Sequence, residues 1–175
     1  TQPESSAASD VYKRQVDTIT TDDERGAHLA VEHLIAFGHT DIVHIDGDTN
    51  ISAHARSQGY EKAMRANGLE PRILKGGDDE ADAEGPVVSL VEDDAIPTAI
   101  FAFNDLVAAG ALSTLESAGL RVPEDVSVVG YDNTFIAELS HMSLTAVNQP
   151  RHQMGELAIR TILERLEDGR TEPAR

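Results

Sequence analysis

The stretch Thr98–Asp105, TAIFAFND, decides how the rest of the chain is read. Its uncharged run Thr98–Phe103 is rich in aromatic and β-branched side chains and ends abruptly on two polar residues. Apolar residues at successive positions predict a strand covered on both faces, the environment of a parallel sheet. Asn104 or Asp105 then predicts the cap of a helix running to Ala118, with Gly119 as its stop and Pro123 beyond.

The same unit recurs on either side. Ile42–Asp46 (IVHID) and Val126–Gly130 (VSVVG) read as buried strands, and Arg72–Lys75 (RILK) as a weaker one. A helix begins at Asp22 or Asp23 and runs to Phe37, with Ala27, Ala30, Val31 and Leu34 as its apolar stripe and Gly38 as its stop. A second helix, Ala53–Asn67, follows Ser52, with Tyr60, Ala63 and Met64 inward and Gly68 after it. Gly76–Asp79 is a turn. Gly85-Pro86 interrupts Glu80–Asp94, so an ordered helix is expected only from about Pro86, in the first helical position. Tyr131–Ser143 reads as a long polar loop, Leu144–Val147 as a short strand, and Pro150–Glu167 as a last helix ended by Gly169. Strand starts near 42, 72, 98 and 126 lie one βαβ unit apart. The fold class that follows is α/β, an open doubly wound parallel sheet.

Composition narrows the function. Ile, Leu, Val and Phe make up about a quarter of the 175 residues, above the roughly 20% below which highly charged chains stay disordered. With 14 basic and 31 acidic side chains the net charge is −17, which repels phosphate and argues against nucleic acid or an anionic membrane as a direct partner of this segment. Apolar runs long enough to span a bilayer are absent, and no signal peptide is visible. With no cysteine there are no disulfides, thiolate catalysis or cysteine-held metal. A cytoplasmic location fits these features. Residues 1–15 show no apolar period and read as a disordered tail or as an artefact, since Ser9–Gln15 resembles sequencing-adapter read-through.

Ligands of open parallel sheets bind beyond the carboxyl ends of the strands, so the polar residues gathered there are the candidates. They are Asp46-Gly47-Asp48, Ser52 and Arg56 after the first strand, Asn104-Asp105 after the third, Tyr131-Asp132-Asn133 after the fourth and Gln149 after the fifth. Carboxylates, amides and one guanidinium suit vicinal hydroxyls, and Tyr131 could add an apolar wall. Each also has a plainer reading. Asn104 or Asp105 could only cap a helix, Asp132 could close a turn, and Gln149 could satisfy loop backbone. Arg56 reads as a surface residue or an ion-pair partner of Asp48.

Other chemistry is unsupported. Neither phosphate-binding glycine loop occurs, and G-x-S-x-G is missing. Seven histidines are scattered without the spacing of a metal site, and Asp78–Asp94 is acid-rich without calcium-loop spacing. No catalytic residue, metal or cofactor is therefore expected.

Five stretches in order resemble the lactose/galactose-repressor (LacI/GalR) family: TTDDERGAHLAVEHLIAFGHTDIVHIDG (20–47), SAHARSQGYEKAM (52–64), PTAIFAFND (97–105), AAGALSTLESAGLRVPEDVSVVGYDN (108–133) and LTAVNQPRHQMGELAIRTILERL (144–166). Two departures stand out. Ala146 replaces the second Thr of the family's L-T-T, and Gly85-Pro86 spoils a helix that is regular in relatives.

The resemblance implies a bacterial transcription regulator with a two-lobed, periplasmic-binding-protein-like core that binds a small effector, a sugar by expectation, and forms a homodimer. Operator DNA would be read only by an N-terminal helix-turn-helix absent from this sequence. By matching positions it implies Arg56, Asn104, Asp132 and Gln149 as effector contacts, Ser52 and Asp22 as weaker ones, and Phe103 or Tyr131 as shaping the pocket. It divides the chain into a tail (1–15), a C-terminal lobe (16–143), a returning strand and helix of an otherwise missing N-terminal lobe (144–168) and a second tail (169–175). Met154, Leu157, Ala158, Ile162 and Leu166 should then leave an exposed apolar side on the last helix. The helix Asp105–Ala118, with Val107, Leu112 and Leu115, is the candidate dimer surface. Such a fragment should bind sugar weakly and operator not at all. A periplasmic-type sugar-binding protein for transport and an α/β sugar-processing enzyme using Asp46, Asp48 or Asp132 are the competing readings.

Overall fold

The computed structural model describes residues 17–140 and 142–167. The expectations for residues 1–15 and 169–175, including the stop at Gly169, lie outside the described residues. Backbone contacts divide the chain into two units, one formed by residues 22–149 and the other by residues 1–21 with 150–175.

The first unit runs α1 (Asp23–Ala36), β1 (Ile42–Ile45), α2 (Ala53–Ala66), β2 (Arg72–Leu74), a 3-10 turn (Glu80–Ala83), α3 (Glu84–Glu92), β3 (Ala99–Ala102), α4 (Asp105–Ser117), β4 (Ser127–Asp132) and β5 (Thr145–Asn148). The five strands form one sheet in the order β2-β1-β3-β4-β5, and every neighbouring pair is parallel. This is the open doubly wound α/β sheet that the spacing predicts.

Alternate residues of each strand feed two separate cores. Val43, Ile45, Ile100, Ala102 and Val128 pack with Val87, Leu90, Val107, Ala111 and Leu115 from α3 and α4. Ile42, Ala99, Phe101, Val129 and Tyr131 pack with Ala27, Val31 and Leu34 of α1 and Tyr60, Ala63 and Met64 of α2. Burying a side chain the size of Val31 or Phe101 is worth roughly 1.5–3 kcal/mol, so both faces must be covered. The helix ends follow local chemistry. Asp22 and Asn104 each accept from a first-turn N–H, of Arg25 and Val107, and Gly38 and Gly119 take the left-handed conformation, at φ +93° and +82°, just past α1 and α4.

Four expectations need correction. Helix α3 starts at Glu84, which leaves Pro86 in the third helical position. A proline is tolerated there because the N–H groups of the first turn have no intrahelical acceptor. Strand β4 extends through Tyr131 and Asp132, two residues read as loop, because they pair with Val147 and Asn148 of β5. The segment 144–149, assigned to a missing lobe, is the edge of this same sheet instead. Val107 and Leu115 of α4 are fully buried on the sheet, so they are not available as a dimer surface.

The second unit contributes α5, Arg151–Glu167, with Arg165 Nη1 donating to Asp17 Oδ2 at 3.3 Å. Leu157, Ile159, Ile162, Leu163 and Leu166 of α5 are exposed. Among the described residues no helix is long and apolar enough to cross a membrane.

Candidate functional site

At the carboxyl ends of β1, β3 and β4 the dominant feature is the Arg56 side chain. Arg56 stands on α2 in the stripe Ala53, Arg56, Tyr60, Ala63, whose spacing turns it toward the sheet. It is 3% exposed, so the surface reading is wrong, and its partners are not Asp48. Its Nε donates to Asp23 Oδ1 at 3.0 Å, one Nη to the carbonyl of Phe103 at 2.6 Å, and the other to Asp132 Oδ1 at 3.2 Å. The planar fork thus ties α1, the end of β3 and the end of β4 to α2.

The guanidinium also lies over the rings of Tyr131, 3.7 Å from the centroid, and Phe103, 4.5 Å away. Such contacts add about 2 kcal/mol or more where water is excluded. Both rings are nearly fully buried, so their part at the rim is to seat Arg56 more than to wall a ligand. Tyr131 packs so closely on α1 that a Cβ at Gly26 would collide with its hydroxyl. Burial, and then the Asp23 carboxylate that accepts from the hydroxyl, raise the Tyr131 phenol well above its ordinary value.

Asp132 Oδ1 accepts a second hydrogen bond, from Gln149 Nε2 at 2.7 Å. Asp132 is half-buried at the exposed edge of the cluster, in an unusual backbone conformation with φ +96°. Asn104 caps α4 through its side-chain oxygen and donates from Nδ2 to the carbonyl of Asp78 at 2.8 Å. It follows Phe103, whose carbonyl holds Arg56. Ser52 lies one turn before Arg56, at the start of α2, and makes no side-chain cap.

The structure therefore gathers Arg56, Phe103, Tyr131, Asp132 and Gln149 into one contact network, with Asn104 and Ser52 beside it in the chain. Asp22 is set apart. Its carboxylate is spent on the N–H of Arg25, and its neighbour Asp23 reaches Arg56. The spacing contained this signal, since Asp23 lies three and four residues before the buried Gly26 and Ala27, hence on the inner face. Asp46, a candidate for the enzyme reading, braces loops, with Oδ1 accepting from the N–H groups of Asp48 and Gly76.

Two carboxylates share one guanidinium here, and the acceptors and donors this brings together suit hydroxyls. Among the described residues no group of three or more potential metal ligands occurs. Two clefts of about 880 and 770 Å³ line α4 instead. Neither of these two includes Arg56, Asp132 or Gln149.

Comparison with known proteins bears on the family and the fold. The periplasmic binding protein-like domain family matches residues 31–175. A LacI transcriptional regulator from a Rhodococcus species superposes with a TM-score of 0.86 at 36% identity, over 90% of this chain and 59% of that one. The chain belongs to the LacI/GalR family of periplasmic-binding-protein-like cores. Another family member, the regulator CelR in complex with cellobiose, has a TM-score of 0.85 and 34% identity, over 93% of this chain and 51% of that one. The repressor PurR of Aliivibrio fischeri is 37% identical over 88% of this chain and 48% of its own length. The chain thus spans about half the length of the curated relatives it matches.

Proposed function

We propose that this chain is the effector-binding portion of a LacI-type transcriptional repressor, and that its rim recognises a neutral, hydroxyl-rich small molecule. One observation carries the reading. Asp132 is held at the carboxyl end of the sheet between Arg56 and Gln149, as a preset acceptor at the place where such sheets bind ligands. Arg56, Asn104, Asp132 and Gln149 make the polar contacts, Ser52 supplies a weaker one, Asp22 is left to its cap of α1, and Phe103 and Tyr131 shape the floor by seating Arg56. The net charge of −17 on the chain favours a neutral sugar over its phosphate ester, and the relative solved with cellobiose supports a sugar.

Because the matched relatives are about twice as long as the matched region, we place the opposite wall of the site, and the operator-reading domain, in sequence outside this chain. Effector binding then biases the arrangement of the two lobes. Such coupling is typically about 1–3 kcal/mol, or 5–150-fold in operator affinity. A homodimer uses the outward side of α4, where Ala109, Leu112, Ser113 and Glu116 line one of the clefts. The regulator works in the cytoplasm, with the DNA it controls, and the reading includes no catalytic step. The names of its relatives favour it over the transport protein and the sugar-processing enzyme.

The test is a melting-temperature panel on the intact protein with neutral mono- and disaccharides, their phosphates, and nucleobases. The reading expects stabilisation by a neutral sugar and not by its phosphate. Stabilisation by phosphates alone would overturn it.

A further inference from the structure

Asp105 is a buried carboxylate that the rim, as described so far, does not use. It stands in the first turn of α4 with 1% of its surface exposed, although the neighbouring Asn104 already caps that helix. Charged side chains are seldom buried to this degree without partners. Its Oδ2 accepts from both the N–H and the hydroxyl of Thr134, at 2.5 and 2.8 Å, and the N–H of Asn133 is directed at the same group. Its Oδ1 is buried without a hydrogen-bond partner, against the backbone of β4, where a Cβ on Gly130 would lie only 2.9 Å away. Desolvation chiefly, and the Asp132 charge in addition, push the Asp105 carboxyl above its ordinary value. A carboxylate is therefore costly at this position, and its bonds to the β4 exit are what offset the cost.

The clamped segment needs holding. Asp132 and Asn133 are consecutive non-glycine residues with positive φ, +96° and +52°, a conformation that L side chains rarely adopt. Their geometry turns the chain out of β4 and aims the Asp132 carboxylate at Arg56 and Gln149.

We propose that Asp105 is a positioning residue of the rim: its carboxylate clamps the Asn133–Thr134 backbone, holds the two left-handed residues in place and so fixes the direction of the Asp132 carboxylate. The functional consequence rests on the rim being the effector site, whereas the clamp itself can be tested without any effector.

The test is amide hydrogen exchange followed by NMR on the unliganded chain, together with the side-chain signals of Arg56 Nε–H and the Gln149 amide. In Asp105→Ala the amides of Asn133 and Thr134 exchange at least tenfold faster and both side-chain signals shift, while amides of β1 and α2 keep their protection. Asp105→Asn, which retains an acceptor oxygen for Thr134, keeps most of the protection. Asn133→Gly, which removes the strain at φ +52°, recovers part of it in the Asp105→Ala background. If Asp105→Ala does not fold, Thr134→Val removes one donor alone and gives a smaller local effect of at least threefold. Unchanged exchange at 133 and 134 in these variants, or a uniform loss of protection across the sheet, overturns the proposal. Because no effector is present, failure of every sugar to bind would count against the site reading and leave the clamp standing.

Discussion

Arg56 and Asp132 are 76 residues apart in the chain, and their side chains meet at 3.2 Å. The contact joins α2 to the end of β4, and Asp23 on α1 holds the other edge of the same guanidinium at 3.0 Å. A buried charge held in this way stabilises only while its partners stay in place.

Arg56→Ala leaves the carboxylates of Asp23 and Asp132 without the guanidinium they share. It is expected to cost about 3–5 kcal/mol, the range for breaking a buried pair on one side. Arg56→Lys should recover little, because an ammonium has neither the planar fork nor the stacking surface. Urea denaturation of the unliganded chain measures both. A loss under about 1 kcal/mol for Arg56→Ala would mean that the pair is solvated.

Gly26→Ala drives a methyl group into the Tyr131 ring and hydroxyl. Overpacking of this kind costs about 1–3 kcal/mol. In a Tyr131→Phe background the penalty of Gly26→Ala should be smaller, since the closest atom is gone. A double-mutant cycle by thermal unfolding reads the difference, and strict additivity would show that α1 can move away freely.

Acid should destabilise the fold through His44. Buried between Tyr60 and Phe101, its imidazole is pushed by desolvation from 6.5 down to about 4. The unfolded chain therefore takes up this proton first. The contribution is fully present above about pH 6.5 and is lost as pH falls toward about 4, by roughly 3 kcal/mol at most. Asp105, whose carboxyl is raised, works in the opposite direction. Stability measured between these pH values should slope downward in the native chain and less steeply in His44→Phe. Equal slopes would assign the titration to other groups.

Salt should stabilise the chain. A net charge of −17 repels itself, and raising sodium chloride from about 0.1 to about 1 M shortens the screening length from about 10 to about 3 Å. The melting temperature should rise by several degrees. A fall would mean that surface ion pairs such as Arg121–Asp125 and Lys62–Glu24 outweigh the general repulsion.

Much of this architecture was legible because it is written in local patterns. The apolar runs at 42–45 and 99–102 became fully buried strands, and Asn104 became a cap. Non-local pairing was harder to read. Tyr131 and Asp132 looked like loop because what makes them strand is β5, some fifteen residues later. The place of Arg56 is hard to read locally for a similar reason. Its position on the stripe of Ala53, Tyr60 and Ala63 was visible, but a charged residue there counts as exposed unless its partners are known. Asp23 comes from another helix and Asp132 from another strand. The clamp by Asp105 on Thr134 was hidden behind the simpler reading of Asn104-Asp105 as a cap.

The most direct measurement is calorimetric titration of cellobiose, and of any sugar found in the melting panel, into the intact protein and into its Asp132→Asn variant, with folding of the variant checked by thermal unfolding. Loss of a charged hydrogen bond is worth about 1.5–3 kcal/mol, so the account predicts affinity at least tenfold weaker in the variant. Equal affinity in a folded Asp132→Asn protein would contradict it and move the effector away from this rim.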